Sequence, residues 1–157
     1  MQEKGEESKE ASGSVLWAEN EFATLRVSDA RRVRRVKQMA ADMHARPGAS
    51  IPQASGNWAA TKGFYRLVES GAVGQGEIFR SHGDALVERV RQSGQEVVLV
   101  PQDTTSLNFG MRPNTKGLGR NGNKSHSGEG LLVHSSLCVG ARGGAATCRC
   151  ACRRPRG

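Results

Sequence analysis

The sequence predicts an α+β fold, helical to about residue 92 and then opening into the first strands of a sheet. Three observations carry this reading. Apolar residues recur at helical spacing in four segments between residues 15 and 92. Compact runs of β-branched and aliphatic residues follow, at 97–100 and 131–139. Beyond residue 139 the composition collapses to small, basic and cysteine residues, with no periodicity and no large apolar side chain.

The elements follow in chain order. Residues 1–14 are polar, and the first ten carry four glutamates against two lysines, which reads as a disordered leader. A helical domain is expected over 15–92. In its first segment Trp17, Phe22 and Leu25 fall near helical spacing, and Ser28 or Asp29 then caps a second helix. That helix, 30–45, is the most legible element. At about 100° per residue, Val33, Val36, Ala40 and Met43 occupy an arc of about 80°. Arg31, Arg34 and Arg35 lie opposite with Gln38 and Asp42, while Arg32 sits at the edge of the arc, where its stem packs and its head reaches outward. Five of the seven residues 31–37 are cationic. Such a run is either a solvated face or a phosphate-contacting one, and its self-repulsion favours an opposing polyanion.

Prolines, glycines and serines make 45–57 a linker. A third helix starts behind the cap Asn57, with Trp58, Thr61, Tyr65 and Val68 along one side and Lys62 and Arg66 on the neighbouring edge. A fourth, 76–93, places Phe79, His82, Leu86 and Val90 on one stripe, where His82 reads as a buried, hydrogen-bonded histidine rather than a ligand. The segment 93–139 then opens a sheet. Its first strand, 97–100, is followed directly by Asp103, a position where α/β enzymes mount a metal ligand, and a second strand is expected at 131–139. One carboxylate cannot hold a catalytic metal alone, so Asp103 requires partners.

Charge narrows the partner. The net charge is +8, and five arginines without an acid lie in 140–157. A basic balance favours nucleic acid or an anionic surface. No stretch of about 18 apolar residues could span a bilayer, and the acidic N-terminus lacks the apolar core of a secretory signal. A cytoplasmic, nucleoid-associated protein without a membrane partner is expected. Cys148, Cys150 and Cys152 form a C-x-C-x-C run that departs from ordinary zinc spacings. Residues 140–157 therefore read as an unstructured basic tail, of the composition that a GC-rich gene gives out of frame; a genuine nucleic-acid-binding tail is the alternative.

Taken as an ordered set, W-A-x-x-x-F at 17–22, D-x-R-R-x-x-R at 29–35, K-x-x-Y-R at 62–66, D-T-T-x-L at 103–107 and G-L-L-V-H-S at 130–135 carry a resemblance. From about residue 17 to 139 the chain resembles the N-terminal part of the cut-and-paste bacterial transposases of the insertion-sequence-four group, including the Tn-five type. The resemblance implies a small helical DNA-binding domain followed by a ribonuclease-H-like core. In that core Asp, Asp and Glu bind two divalent ions, magnesium or manganese, for in-line attack on phosphodiesters. By the same match Asp103 is the first catalytic acid and a metal ligand. Arg31, Arg32 and Arg35, in a helix that also carries Arg34 and Lys37, belong to the part that grips transposon ends, and Lys62, Tyr65 and Arg66 are a second contact. The later Asp and the Glu have no counterpart here, since Asp42, Asp84, Glu88, Glu96 and Glu129 sit in no matching motif.

The expected function is thus that of a truncated, catalytically inactive transposase fragment that binds duplex DNA, with full-length transposase as a further partner. The alternative is a metal-dependent transposase or nuclease completed by a frameshifted or second chain that supplies the missing Asp and Glu. A metal-binding protein built on the cysteine run is the third reading.

Overall fold

The computed structural model describes residues 3–109, 115–121, 128–140 and 148–154. The chain divides into two units, Met1–Ala85 and Leu86–Gly157.

The first unit is helical. Helix α1 spans Glu3–Glu21. It includes the segment expected to be an unstructured leader: Glu3, Glu6, Glu7, Lys9, Glu10 and Ala11 are good helix formers, and they continue directly into the turns that bury Ser14 and Ala18. Helix α2 spans Ala30–Ala45, as its amphipathic pattern predicts, and Asp29 caps it by accepting a hydrogen bond from Arg31 N at 2.9 Å. A short helix α3, Ile51–Ser55, lies within the expected linker. Gln53 Oε1 accepts from Ser50 N (3.0 Å) at its start, and Arg46 Nη1 donates to the Gln53 carbonyl (2.8 Å) at its end. Gly56 then leaves the helix at φ 71°, a left-handed conformation that glycine adopts without steric cost. Helix α4 spans Trp58–Glu69, with Asn57 Oδ1 accepting from Ala60 N at 2.9 Å. Helix α5 spans Gln75–Gln92.

Phe22, Leu25 and Val36 form the buried centre, with Val27, Val33, Ala40, Leu67, Val73 and Ile78 packed against them. The predicted stripe of α2 therefore faces the core at Val33, Val36 and Ala40, but Met43 is exposed. The α4 stripe is not the core-facing one. Thr61 is buried, whereas Trp58, Tyr65 and Val68 are exposed, at 74%, 44% and 63%. The helix instead packs through Leu67, beside the side-chain-free surface at Gly63 where α2 comes close.

A polar clasp ties the α1–α2 turn to the first turns of α5. Arg80 donates to Glu77 (Nε to Oε2, 3.0 Å), to Asp84 (Nη1 to Oδ2, 2.6 Å) and to the Thr24 carbonyl. Arg26 N donates to Glu77, Thr24 Oγ1 donates to Asp84 Oδ2 at 2.7 Å, and Ser81 Oγ donates to the Glu21 carbonyl at 3.3 Å. The almost fully buried Glu21 carboxylate meets His82 Nδ1, so His82 is hydrogen-bonded as expected, though half-buried rather than buried.

The second unit is an antiparallel sheet centred on one long strand. Its strands are β1 Val98–Leu99, β2 Gln102–Asn108, β3 Gly119–Asn121, β4 Gly128–Gly140 and β5 Cys148–Arg154, and the other four all pair with β4. The expected first strand breaks at Pro101, which has no N–H to donate, although its carbonyl still accepts from Leu137 N at 3.0 Å. Asp103 consequently lies not at a strand's end but second in β2, opposite Ser135. The β-branched Thr104 and Thr105 carry that strand onward, and its residues are exposed along its length. The segment 148–154 of the expected unstructured tail pairs with Leu132–Cys138, which would otherwise be an open backbone edge of β4. Residues 141–147 and 155–157 of that tail lie outside the described residues.

Candidate nucleic-acid interface

Helix α2 has two polar flanks, one on each side of its core-facing stripe, and each flank meets a different helix. Toward α1, Arg34, Lys37, Gln38 and Ala41 line a groove with Val15 and Glu19. There Lys37 Nζ is paired with Glu19 Oε2 at 2.5 Å. Toward α4, Arg31, Arg32 and Arg35 line an open groove of about 640 Å³ with Gly63, Arg66, Leu67 and Ser70. This second groove gathers four guanidinium groups from two helices.

Local sequence explains the convergence. On α2 the three arginines fall within an arc of about 100° at helical spacing. On α4 the absence of a side chain at Gly63 admits Arg35: a Cβ there would lie 3.0 Å from Arg35 Cζ and 3.3 Å from its Nε and Nη1. The neighbouring acid is Asp29, whose carboxylate is 3.9 Å from Arg31 Nε and 4.0 Å from Arg32 Nε, at the long end for an ion pair. One carboxylate beside four guanidiniums leaves the groove strongly cationic. Guanidinium forks match phosphate oxygens in pairs, so the groove has the chemistry to receive consecutive phosphates of a polyanion.

Residues 14–73 match the family model for transposase DNA-binding domains. The matched segment holds the C-terminal part of α1, all of α2, α3 and α4, both grooves and every arginine of the cationic one. Within the matched segment the expected contact residues separate into three groups. Arg31, Arg32, Arg35 and Arg66 come together in the α2–α4 groove. Arg34 and Lys37 point to the α1 side, where Glu19 offsets Lys37. Lys62 and Tyr65 are exposed on α4, outside the residues that line the groove, with the Tyr65 ring edge-on to Phe64 at 6.0 Å between centroids.

Sequence reasoning missed Gly63, Leu67 and Ser70 as groove residues. Only the fact that Gly63 interrupts an otherwise good helix hinted at a close approach. The clasp residues were missed as well. The hydrogen bond from Arg80, with a second from Arg26 N, holds the Glu77 carboxyl down from 4.5 to about 2, and Glu77 in turn raises Arg80.

Asp103 lies in the other unit, in a shallow depression with Pro101, Gln102, Thr105, Ser135 and Leu137. None of these neighbours is a carboxylate. Among the residues whose side chains are described, no three His, Cys, Asp or Glu groups gather. A two-ion magnesium or manganese centre needs several carboxylate oxygens to neutralise and position it, so the side chains around Asp103 do not fit one. No helix among the described residues is long and apolar enough to cross a membrane.

Proposed function

We propose that this chain binds duplex DNA at transposon ends through the α2–α4 groove, as the DNA-gripping part of a Tn-five-like cut-and-paste transposase. The observation that carries this reading is the convergence of Arg31, Arg32, Arg35 and Arg66 in one groove of the transposase DNA-binding domain. Phosphate contacts of this kind fix register on the duplex, while base discrimination falls to other side chains. The exposed Lys62 and Tyr65 stand ready on the adjacent face of α4 as the second contact.

The second unit is read as the beginning of a ribonuclease-H-like core, with Asp103 as its first acid. Strand cleavage is not assigned to these residues by themselves, because one carboxylate supplies too little charge for two divalent ions. Full-length transposase is the natural competitor for the same DNA ends.

The test is electrophoretic mobility shift with the full chain on an element's terminal repeat and on a scrambled duplex of equal length. Preference for the terminal repeat is expected, with binding lost in a variant carrying Arg→Ala at 31, 32, 35 and 66 that keeps its helical circular dichroism. Equal binding by that variant would refute the groove, and equal binding to both duplexes would refute end recognition. Metal-dependent strand cleavage by the purified chain would instead favour a centre completed by a second chain.

A further inference from the structure

Helix α4 turns more than the groove side outward. Taken around the helix, the order is Tyr65, Trp58, Lys62 and Arg66, followed by the groove-lining Gly63. Tyr65, Trp58 and Lys62 share an arc of about 60°, and Arg66, about 80° from Trp58, is the seam between this face and the four-arginine groove. Trp58 is 74% exposed and Tyr65 44%, so neither ring belongs to the core. A large aromatic side chain can bury about 150–250 Å², and here that area stays in water beside a cationic groove.

The dimensions suit a duplex. At about 1.5 Å per residue, Trp58 and Tyr65 stand about 10 Å apart along the axis, which is about three base pairs. The major groove, about 12 Å wide, admits a helix, and there an apolar side chain discriminates by touching the thymine methyl group. Trp58 brings an indole face and one Nε1–H donor, while the Tyr65 hydroxyl both donates and accepts. Charge decides which end of this face meets DNA. Lys62 stands exposed between the two rings, whereas the exposed Glu69, in the last turn on the same side, repels phosphate. The first two turns of α4 are therefore the ones that face the polyanion. The groove arginines beside them supply register without sequence information, so base reading falls to uncharged neighbours of this kind.

We infer that the first two turns of α4 enter the major groove and that Trp58, with Tyr65, reads base edges there, the indole lying against thymine methyl groups. Arg66 and the α2 arginines hold the adjoining backbone. This inference rests on duplex binding through the α2–α4 groove and adds to it the residues that give sequence preference.

The test is the ratio of the full chain's affinities for a terminal-repeat duplex and for a scrambled duplex of equal length. Trp58→Ala, with its helical circular dichroism retained, should lower that ratio by about tenfold, the size of one lost base-specific contact, and Trp58→Phe should restore most of it. Replacing thymidine by deoxyuridine one position at a time removes only the methyl group. The wild type should lose affinity at one position or more, and Trp58→Ala should be indifferent there. The quadruple arginine variant should instead lose both duplexes together. An unchanged ratio in Trp58→Ala, or an equal loss from both duplexes, would overturn base reading by Trp58 and leave the groove standing. A wild-type chain without preference for the terminal repeat would overturn it together with end recognition. Sedimentation of the free chain decides the competing occupant: a dimer that Trp58→Ala splits, with the ratio intact, would assign this face to a second copy and overturn the inference.

Discussion

Substitution of Arg35 by alanine separates the two flanks of α2 in a way that can be computed beforehand. Binding to duplex DNA weakens with salt because each neutralised phosphate releases counterions, at about 0.9 in the log–log slope per contact. If the four guanidiniums of the α2–α4 groove each meet one phosphate, they contribute a slope of about −3.6. Affinity then falls about 150-fold between about 50 and about 200 mM salt. Without Arg35 three contacts remain, the slope becomes about −2.7, and the fall over the same range is about 40-fold. Arg34→Ala is the matched control, because Arg34 lines the other groove, on the α1 side. Its slope should stay near the wild-type value. Fluorescence anisotropy of a labelled duplex at five or six salt concentrations measures all three slopes. The reasoning fails if Arg35→Ala keeps the wild-type slope, or if Arg34→Ala loses as much as Arg35→Ala.

Gly63→Ala should divide stability from binding. Alanine gains about 0.5–1 kcal/mol of helix propensity, but its Cβ, 3.0 Å from Arg35 Cζ, must displace that side chain, so melting should hold or rise while DNA affinity drops by about fivefold. The Glu77 carboxyl titrates near 2 in the fold against 4.5 ordinarily, so the unfolded chain takes up this proton first. The stability it contributes is present above 4.5 and is lost as pH falls toward about 2. Glu77→Gln should flatten melting temperature against pH across that window, read by fluorescence from Trp17 and Trp58, which both lie in the helical unit; a curve parallel to the wild type would deny Glu77 that role. Phe22→Ala removes the largest side chain of the core cluster and should cost about 3 kcal/mol in urea titration of the same signal, and a loss under about 1 kcal/mol would mean the cluster is not the unit's core.

Much of the helical unit was legible because its signals are local. Asp29 and Asn57 announce helix starts by side-chain chemistry, and α2 carries its apolar residues at the right period, so its ends emerge unchanged. Helix α3 was hidden because its five residues include Pro52 and lie among residues that ordinarily break helices. The α4 stripe misled because Trp58, Tyr65 and Val68 are apolar yet exposed, while the contact side uses Gly63 and Leu67. The site was half legible for a related reason. A cationic run can be read from sequence, but its division into an α1-facing and an α4-facing group depends on which helices flank it, and that is a property of tertiary packing. The break at Pro101 and the pairing of β4 with β5 likewise depend on partners distant in sequence.

The unequal flanks of α2 also bear on how an encounter begins. On the side containing Arg34 and Lys37, Glu19 offsets Lys37, while four arginines crowd the opposite side with Asp29 as their near counter-charge. A body charged so lopsidedly experiences a torque in the field of a duplex, and it turns its arginine side inward before contact is made. Diffusion then presents the correct face more often than chance would allow. The benefit appears in how fast complexes form, and added salt slows their formation as it weakens this rotation.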